Sequence, residues 1–409
     1  MAEVIPKEWG EEHWIVNRNY AGKKMVLFPG RQCSLHVHKI KDETFYVTKG
    51  TVLMEIDGER RIMSPGDDQL ILQGQLHRFT GIGHGNAEII EFSTHHYDTE
   101  DTDNFRVEKS RVLQRETAYR PDIYVTGNRG YLGRAMDAVF LQHGLKTFGS
   151  DVEFLDLTDR VKVLEELHTV KPQAIVHTAA MSDWAACEKN PQQTHKMNIE
   201  ATRTLAEYCK ETGIPFIHVS TDFIFAGNTG NYNEQSPVGP INVYGRTKAV
   251  AEDMILDTLE DALILRAGTF YGTSYVIDRP VFVHKVIRKL SSGESYAVAV
   301  DEISNPTMIQ DLGKVTAELL KRNKTGVWNV GGADMINRYE LAIKTAETFG
   351  LDAGLIKKST MAELGTFEKR PRNVSLSMGK LNREGIYTTG VADGLQRMKR
   401  MYDEVQPKL

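Results

Sequence analysis

The sequence predicts two domains of different class: an all-β barrel or sandwich, then an α/β domain on a parallel sheet. Three observations carry this. The 409 residues are more than one typical domain of ~150 residues needs. The first hundred residues set frequent turn signals between short runs of β-formers. From Ile123 onward, strand-like and helix-like segments alternate.

In the first part the turn signals are Pro29-Gly30, Lys49-Gly50, Asp57-Gly58, Pro65-Gly66 and Gly81 to Gly85. Between them lie Phe45-Tyr46-Val47-Thr48, Val52-Leu53-Met54-Glu55-Ile56 and Ile89-Ile90-Glu91-Phe92. Many short strands at this spacing suggest a barrel or sandwich, and no long helix is expected. His95 to Arg120 changes character. Its acidic run (Asp98, Glu100, Asp101, Asp103) reads as a solvated connector, or as a partner- or metal-binding loop.

In the second part Ile123 to Thr126 reads as a strand and Leu132 to His143 as a helix. Ala174 to Thr178 is a strand, and Asn198 to Thr212 a helix closed by Gly213. Phe216 to Ser220 is a strand, Thr247 to Leu259 a helix, and Ala262 to Arg266 a strand again. This alternation argues for a parallel sheet covered by helices on both faces.

Composition excludes several function classes. Lys and Arg total 50 against 55 Asp and Glu, a formal charge of −5, so no basic footprint of a nucleic-acid binder exists. No apolar run approaches the ~18 residues of a membrane helix, and Met1 to Trp9 carries no secretory signal. Cys33, Cys187 and Cys209 are odd in number and widely spaced, which suits a reducing, cytoplasmic setting rather than a disulfide framework.

Two motif sets carry chemistry. In the first, Gly30 precedes His36-Val37-His38 by five residues; Glu43 follows after four more, and Gly50 after another six. Downstream, Gly66, Leu72, Gly74 and His77 form a second group. A His-x-His pair points both rings to one side of a strand. Three imidazoles and one carboxylate can hold a divalent metal and leave positions open for water or substrate. The pattern resembles the cupin family, with departures at Leu72 (where the family has Pro) and Gly81 (often Asn), neither of which removes a ligand. The resemblance implies His36, His38, Glu43 and His77 as ligands of a divalent metal. Lys7-Glu8-Trp9-Gly10, Ser34-Leu35-His36, Asp42-Glu43, His77-Arg78-Phe79 and Glu91-Phe92-Ser93-Thr94 resemble the sugar-isomerase branch. That implies a sugar ligand and proton transfer beside a metal-held carbonyl. Glu91, Lys49 or another His can serve as base, and the sequence does not choose. A purely sugar-sensing or oligomerising barrel is the rival reading.

In the second set, Gly127-Asn128-Arg129-Gly130-Tyr131-Leu132-Gly133 follows a strand and opens a helix. Such glycines permit a tight turn and close backbone approach to a pyrophosphate at a helix N-terminus. Tyr244 and Lys248 share one helix face. A neighbouring ammonium favours phenolate and lowers a tyrosine's pKa from its usual ~10. Ser220 and Thr221, at a strand end, can supply a hydroxyl to a substrate carbonyl.

Together with Asp156-Leu157-Thr158-Asp159, Ala179-Ala180, Asn198, Ser220 to Phe225, Asn242 to Lys248 and Arg370-Pro371-Arg372-Asn373, these residues resemble the extended short-chain dehydrogenase/reductases. Within them the chain is similar to the dTDP-4-dehydrorhamnose reductase group. The resemblance implies a Rossmann-type, doubly wound sheet with a small C-terminal substrate lobe, mostly from about residue 269. It implies Tyr244 as general acid, Lys248 as ribose anchor and Tyr activator, and Thr221 as hydrogen-bonder to the ketone. Gly127, Arg129, Gly130, Tyr131, Leu132, Gly133, Asp156, Leu157, Ala179, Ala180, Asn198 and Lys248 would hold the cofactor. Related dehydratases carry Asp-Glu after the catalytic Thr; here Asp222-Phe223 argues against dehydration. Gly149-Ser150 stands where NAD enzymes tend to place a ribose-binding acid, and Arg129 can pair with a 2′-phosphate, so NADP(H) is favoured over NAD(H); Asp151 keeps NAD(H) open.

The expected boundaries are 1–105 for the cupin barrel, 106–121 for a linker and 122–409 for the reductase. The expected activity is reduction of a 4-keto-6-deoxy sugar nucleotide, with the cupin acting as sugar isomerase or epimerase. A non-catalytic NADP-binding regulatory subunit, or a reductase with a non-catalytic cupin, are the alternatives. The expected assembly is a homodimer or higher homo-oligomer, with no nucleic-acid or membrane partner.

Overall fold

The computed structural model describes residues 4–7, 9–17, 20–28, 31–82, 86–94, 104–108, 111–112, 121–128, 130–150, 152, 155–273, 281–366 and 369–405. Two compact units result, Met1–Asp122 with Val161–Pro172, and Ile123–Arg160 with Gln173–Leu409.

The first unit is built from two antiparallel sheets. One runs in the order Val4–Lys7, Gly10–Asn17, Tyr20–Leu27, Ala87–Thr94, Glu43–Lys49, Asp68–Ile71. In the other, Arg31–Gln32 and Leu35–His38 pair in succession along one edge of His77–Ile82, and Thr51–Ile56 pairs along its other edge. Side chains alternate as the pleat requires. Along Glu43–Lys49 the residues Glu43, Phe45 and Val47 are buried, and along Ala87–Thr94 the residues Ala87, Ile89, Glu91 and Ser93. The apolar members join Met25, Leu27, Met54, Ile71 and Phe79 in the core, with Trp9 edge-on to Phe79 at 5.2 Å. The buried carboxylates of Glu43 and Glu91 therefore gather at one end of that core. Asn104–Glu108 pairs with Leu35–His38, and Arg111–Val112 with Arg31–Gln32. Strand pairing thus continues into the stretch expected to be a linker, because the strand bearing His36 and His38 would otherwise present an unpaired edge. The acidic run Asp98 to Asp103 and Gly30 lie outside the described residues.

The second unit holds a six-stranded parallel sheet in the order Thr147–Ser150, Ile123–Thr126, Ile175–His177, Phe216–Thr221, Leu263–Ala267, Gly326–Asn329. The first five of these strands are buried along their whole length, as a sheet covered on both faces demands. Ile123, Val125, Val176, Ile217 and Leu265 pack with Met136 and Phe140 of helix Tyr131–Gln142 and Leu312 and Val315 of helix Ile309–Lys321. Strand order reverses between Ile123–Thr126 and Ile175–His177, which opens a crevice at the carboxyl ends of those strands.

Helix Val243–Thr258 begins one turn before the expected Thr247, since Asn242 caps it by accepting from the Gly245 N–H at 2.7 Å. Helix Ala201–Thr212 ends at Gly213 in the left-handed conformation, φ 69°, and is preceded by a π-helical turn, Lys196–Glu200. Beyond residue 269 the chain builds three two-stranded pairs, but it also returns helix Ile309–Lys321 and strand Gly326–Asn329 to the main layers. The three cysteines are buried and free. Burial pushes the Cys33 thiol up to about 12 and raises those of Cys187 and Cys209. Among the described residues no helix is long and apolar enough to cross a membrane.

Candidate functional site

At the polar end of the barrel core, His36 and His38 from strand Leu35–His38, Glu43 and His77 bring one ligand atom each to within 4.8 Å of one another. The His36 ring lies 4.4 Å from that of His77 and 5.0 Å from that of His38. His36 Nδ1 is 2.7 Å from the Ser34 carbonyl, and His77 Nδ1 is 3.0 Å from the Gln75 carbonyl. Both Nδ1–H groups donate outward, which fixes the tautomer and turns both Nε2 lone pairs inward, the arrangement of metal-bound histidines. His77 Nε2 approaches Glu43 Oε2 at 3.0 Å, yet neither atom completes a hydrogen bond of good angle. Burial and the neighbouring His77 lower His36 to about 3, so its ring is neutral and able to ligate. Three imidazoles and a carboxylate at this spacing fit a divalent cation.

Burial alone would raise the Glu43 carboxyl, but His77, Lys41 and His38 hold it well below its ordinary value. Lys41 is the contributor that sequence reading missed. Its Nζ lies 2.6 Å from Glu43 Oε1 and 3.4 Å from Glu91 Oε1, and Lys23 lies 3.3 Å from Glu91 Oε2. Burial disfavours the Lys41 charge, but Glu91 and Glu43 raise its pKa. A buried chain Lys23–Glu91–Lys41–Glu43 thus leads to the four residues. Of the expected bases, Glu91 belongs to this chain, whereas Lys49 is exposed and pairs with Glu88 at 3.5 Å.

In the second unit, the glycine loop sits at the carboxyl end of strand Ile123–Thr126. Gly127 has φ 66° and donates its N–H to the Ser150 carbonyl at 2.6 Å. A Cβ on Gly133 would meet the Gly127 carbonyl oxygen at 2.1 Å, so only glycine permits this tight turn. Gly130 caps helix Tyr131–Gln142 with no side-chain partner, which leaves the first amides to a ligand. Arg129 and Asp151 lie outside the described residues. Tyr131 spends its hydroxyl on the Gly272 carbonyl at 2.9 Å, and Leu132 packs against the core. Ala179 touches the turn, since a Cβ on Gly127 would lie 3.1 Å from it, and Ala180 follows in the same loop. Asn198 acts behind this loop: its amide accepts from the Met181 N–H at 2.9 Å and donates to the Met181 carbonyl at 3.0 Å and to Thr247 at 3.1 Å. The π-helical turn carries it there. Asp156 accepts from Thr158 N–H and Oγ1 at 2.9 and 2.8 Å, a local turn, beside the buried Leu157.

Thr221 ends strand Phe216–Thr221, and its Oγ1 accepts from the Phe223 N–H at 3.2 Å. Burial raises the Tyr244 phenol, and a hydrogen bond with Thr221 partly offsets this. Tyr244 lies in the first turn of helix Val243–Thr258, close enough to the strand end for Thr221 to influence its phenol. Ser220 turns the other way and donates to Glu252, which also holds Arg266, so Thr221 alone of the two expected hydroxyls faces Tyr244. Lys248 shares the Tyr244 helix face but points deeper. Its Nζ donates to the Val219 carbonyl at 2.8 Å and lies 2.7 Å from His218 Nε2. The ammonium expected beside the phenol is thus engaged elsewhere; burial lowers it to about 7, with Glu252 opposing. His218, which sequence reading passed over as one more strand residue, is its partner.

Two protein families match this chain. Residues 121–404 match the family described as RmlD substrate binding domain, and residues 23–93 match the cupin domain family. A probable low-salt glycan biosynthesis reductase, Agl14, of Haloferax volcanii is 32% identical over 297 residues, covering 69% of this chain and 98% of the relative. A dTDP-4-keto-6-deoxy-D-glucose reductase of Streptomyces niveus is 31% identical over 266 residues, covering 64% and 90%. Methionine adenosyltransferase 2 subunit beta of Xenopus tropicalis is 27% identical over 274 residues, covering 64% and 82%. Among solved structures, a dTDP-4-dehydrorhamnose reductase from Bacillus anthracis in complex with NADP shares the fold at TM-score 0.65 and 23% identity, covering 69% and 100%. The chain therefore belongs to the RmlD substrate binding domain family and carries a cupin domain ahead of it.

Proposed function

We propose that the second unit reduces the 4-keto group of a nucleotide-linked 6-deoxy sugar with NADPH. The observation that carries this is the placement of Thr221 at the carboxyl end of a strand, on the sheet edge that also bears the glycine loop, with Tyr244 in the first turn of helix Val243–Thr258. NADPH, when bound, supplies the hydride. The amides at the start of helix Tyr131–Gln142 take the pyrophosphate, Thr221 orients the ketone, and Tyr244 delivers the proton to its oxygen. Lys248 anchors the ribose and stabilises the phenolate that remains, which requires it to leave His218 in part. The similarity to an NADP-bound reductase and the Gly149-Ser150 strand end support NADPH over NADH.

The first unit, on this reading, is a second sugar site in the same biosynthetic route, isomerase or epimerase in type. His36, His38, Glu43 and His77 would hold a divalent cation there, and such a cation supplies polarisation of a carbonyl. Glu91, set between Lys23 and Lys41, is placed to move a proton. The whole protein would work in the cytoplasm as a homo-oligomer.

A second reading, a cofactor-binding regulatory subunit, draws on the similarity to methionine adenosyltransferase 2 subunit beta. One assay separates the two. The protein is incubated with NADPH and a panel of 4-keto-6-deoxy sugar nucleotides, following loss of reduced nicotinamide. Turnover that vanishes in Tyr244→Phe, with cofactor binding kept, supports the reductase. Full turnover in that variant, or none in the wild type, overturns it.

A further inference from the structure

Asp222 is a buried carboxyl at the reductase centre for which the mechanism above has no task. It is 2% exposed, and its Oδ1 lies 3.2 Å from Thr221 Oγ1. A methyl on Gly268 would lie 1.9 Å from Asp222 Oδ2, so the carboxyl is held against bare backbone. Its one side-chain hydrogen bond among the described residues is the one with Thr221.

A threonine hydroxyl has one proton and two lone pairs. At Thr221 the Phe223 N–H takes one lone pair. The Asp222 carboxyl lies within reach of what is left. An ionised Asp222 can only accept, so it claims the single Thr221 proton. Thr221 then has no proton to offer a ketone. A neutral Asp222 reverses the chain: its own O–H donates to Thr221, and the Thr221 proton is released toward the substrate.

We propose that Asp222 is a positioning residue which, as a neutral acid, donates to Thr221 and thereby aims the Thr221 proton at the oxygen of the substrate ketone. This rests on the reductase reading. Burial pushes the Asp222 carboxyl up to about 7, so the switch falls near neutrality. Charges of both signs face it. Arg338 favours ionisation and Glu302 opposes it, while Arg370 also senses Asp222. Arg338 and Arg370 are both tied to Glu302, the former at 2.9 Å. From helix Val243–Thr258, Tyr244 faces Asp222 as a neutral phenol.

The test compares NADPH-dependent turnover of a 4-keto-6-deoxy sugar nucleotide by Asp222→Asn and wild type at each pH from 6 to 9. An amide always offers an N–H to Thr221. The ratio cancels titrations the two proteins share, Lys248 included. The ratio should rise by about tenfold per pH unit above the Asp222 titration. It should stay flat when both proteins also carry Thr221→Ala. A flat ratio in the Thr221 background, or a rising one with Thr221→Ala, overturns the proposal. If Asp222→Asn does not fold, wild type over Thr221→Ala serves: that ratio should fall toward one as pH rises, and a pH-independent ratio overturns the proposal. A wild type that turns over no ketone fails the reductase reading, and this inference falls with it.

Discussion

The Lys248 ammonium nitrogen lies 2.7 Å from His218 Nε2, and both side chains are fully enclosed. With Lys248 charged, His218 must be neutral, accept at Nε2 and keep its proton on Nδ1, which has no hydrogen bond of its own. Burial and Lys248 itself both hold His218 well below its ordinary pKa.

This pairing predicts the effect of His218→Leu. Removing the acceptor leaves a buried ammonium short of one charge-assisted hydrogen bond, a loss of ~1.5–3 kcal/mol. Fluorescence titration with NADPH should show weaker binding, and kcat should fall together with cofactor affinity. His218→Asn, which keeps an acceptor, should recover part of both. Identical behaviour of the two variants would contradict the role.

Asp222 predicts a pH dependence of stability that is independent of turnover. Its folded pKa is raised from 3.8 to about 7, so between those values the native state holds a proton that the unfolded state has released. Stability therefore falls as pH rises through that window and levels off above it. Asp222→Asn removes the penalty. Denaturant unfolding should find it little changed near pH 4 and more stable than wild type at pH 7.5. The gain should be a few kcal/mol, because each tenfold difference in proton affinity is worth about 1.4 kcal/mol. A difference that does not grow with pH would rule this out.

The glycine loop predicts a sharp loss from Gly133→Ala. The added methyl would overlap the Gly127 carbonyl, so the turn must open and the helix amides swing away. NADPH affinity should drop at least about tenfold, an energy of ~1.4 kcal/mol, while the divalent-ion content of the purified protein stays that of wild type. Isothermal titration would read the first, elemental analysis the second.

For the barrel, His36→Ala with His38→Ala should remove a stoichiometric divalent ion from the purified protein. Glu43→Gln should weaken binding rather than abolish it, since three imidazoles remain. Ion content equal to wild type in the double variant would dismiss the site.

Periodicity and spacing made much of this legible beforehand. His-x-His on a strand, a carboxylate at the next strand start and a histidine after a glycine turn were readable because each motif is local. Their convergence needs pairing between distant segments, and His77 does sit opposite His36 in register. Lys41 was not legible, because a lysine in a loop announces nothing until two carboxylates close around it. The spacing of Tyr244 and Lys248 gives them one helix face, but nothing local in the sequence sets the direction of the Lys248 side chain. A long side chain goes where the deepest acceptors are, and these come from strand Phe216–Thr221, some thirty residues away in sequence. The role of Asp222 was hidden for a related reason: a carboxyl's charge depends on enclosure, which no local pattern encodes.

The enclosure of all three thiols has a practical reach. Cys33, Cys187 and Cys209 each have a raised pKa and no solvent-facing sulfur surface to speak of, so thiolate is scarce and reagents have little access. The native protein should ignore maleimides and tolerate air without reductant. One cysteine introduced on the surface of each unit would then take fluorophores or spin labels at those two sites alone, giving distance measurements between the units in a chain that needs no cysteine-free background.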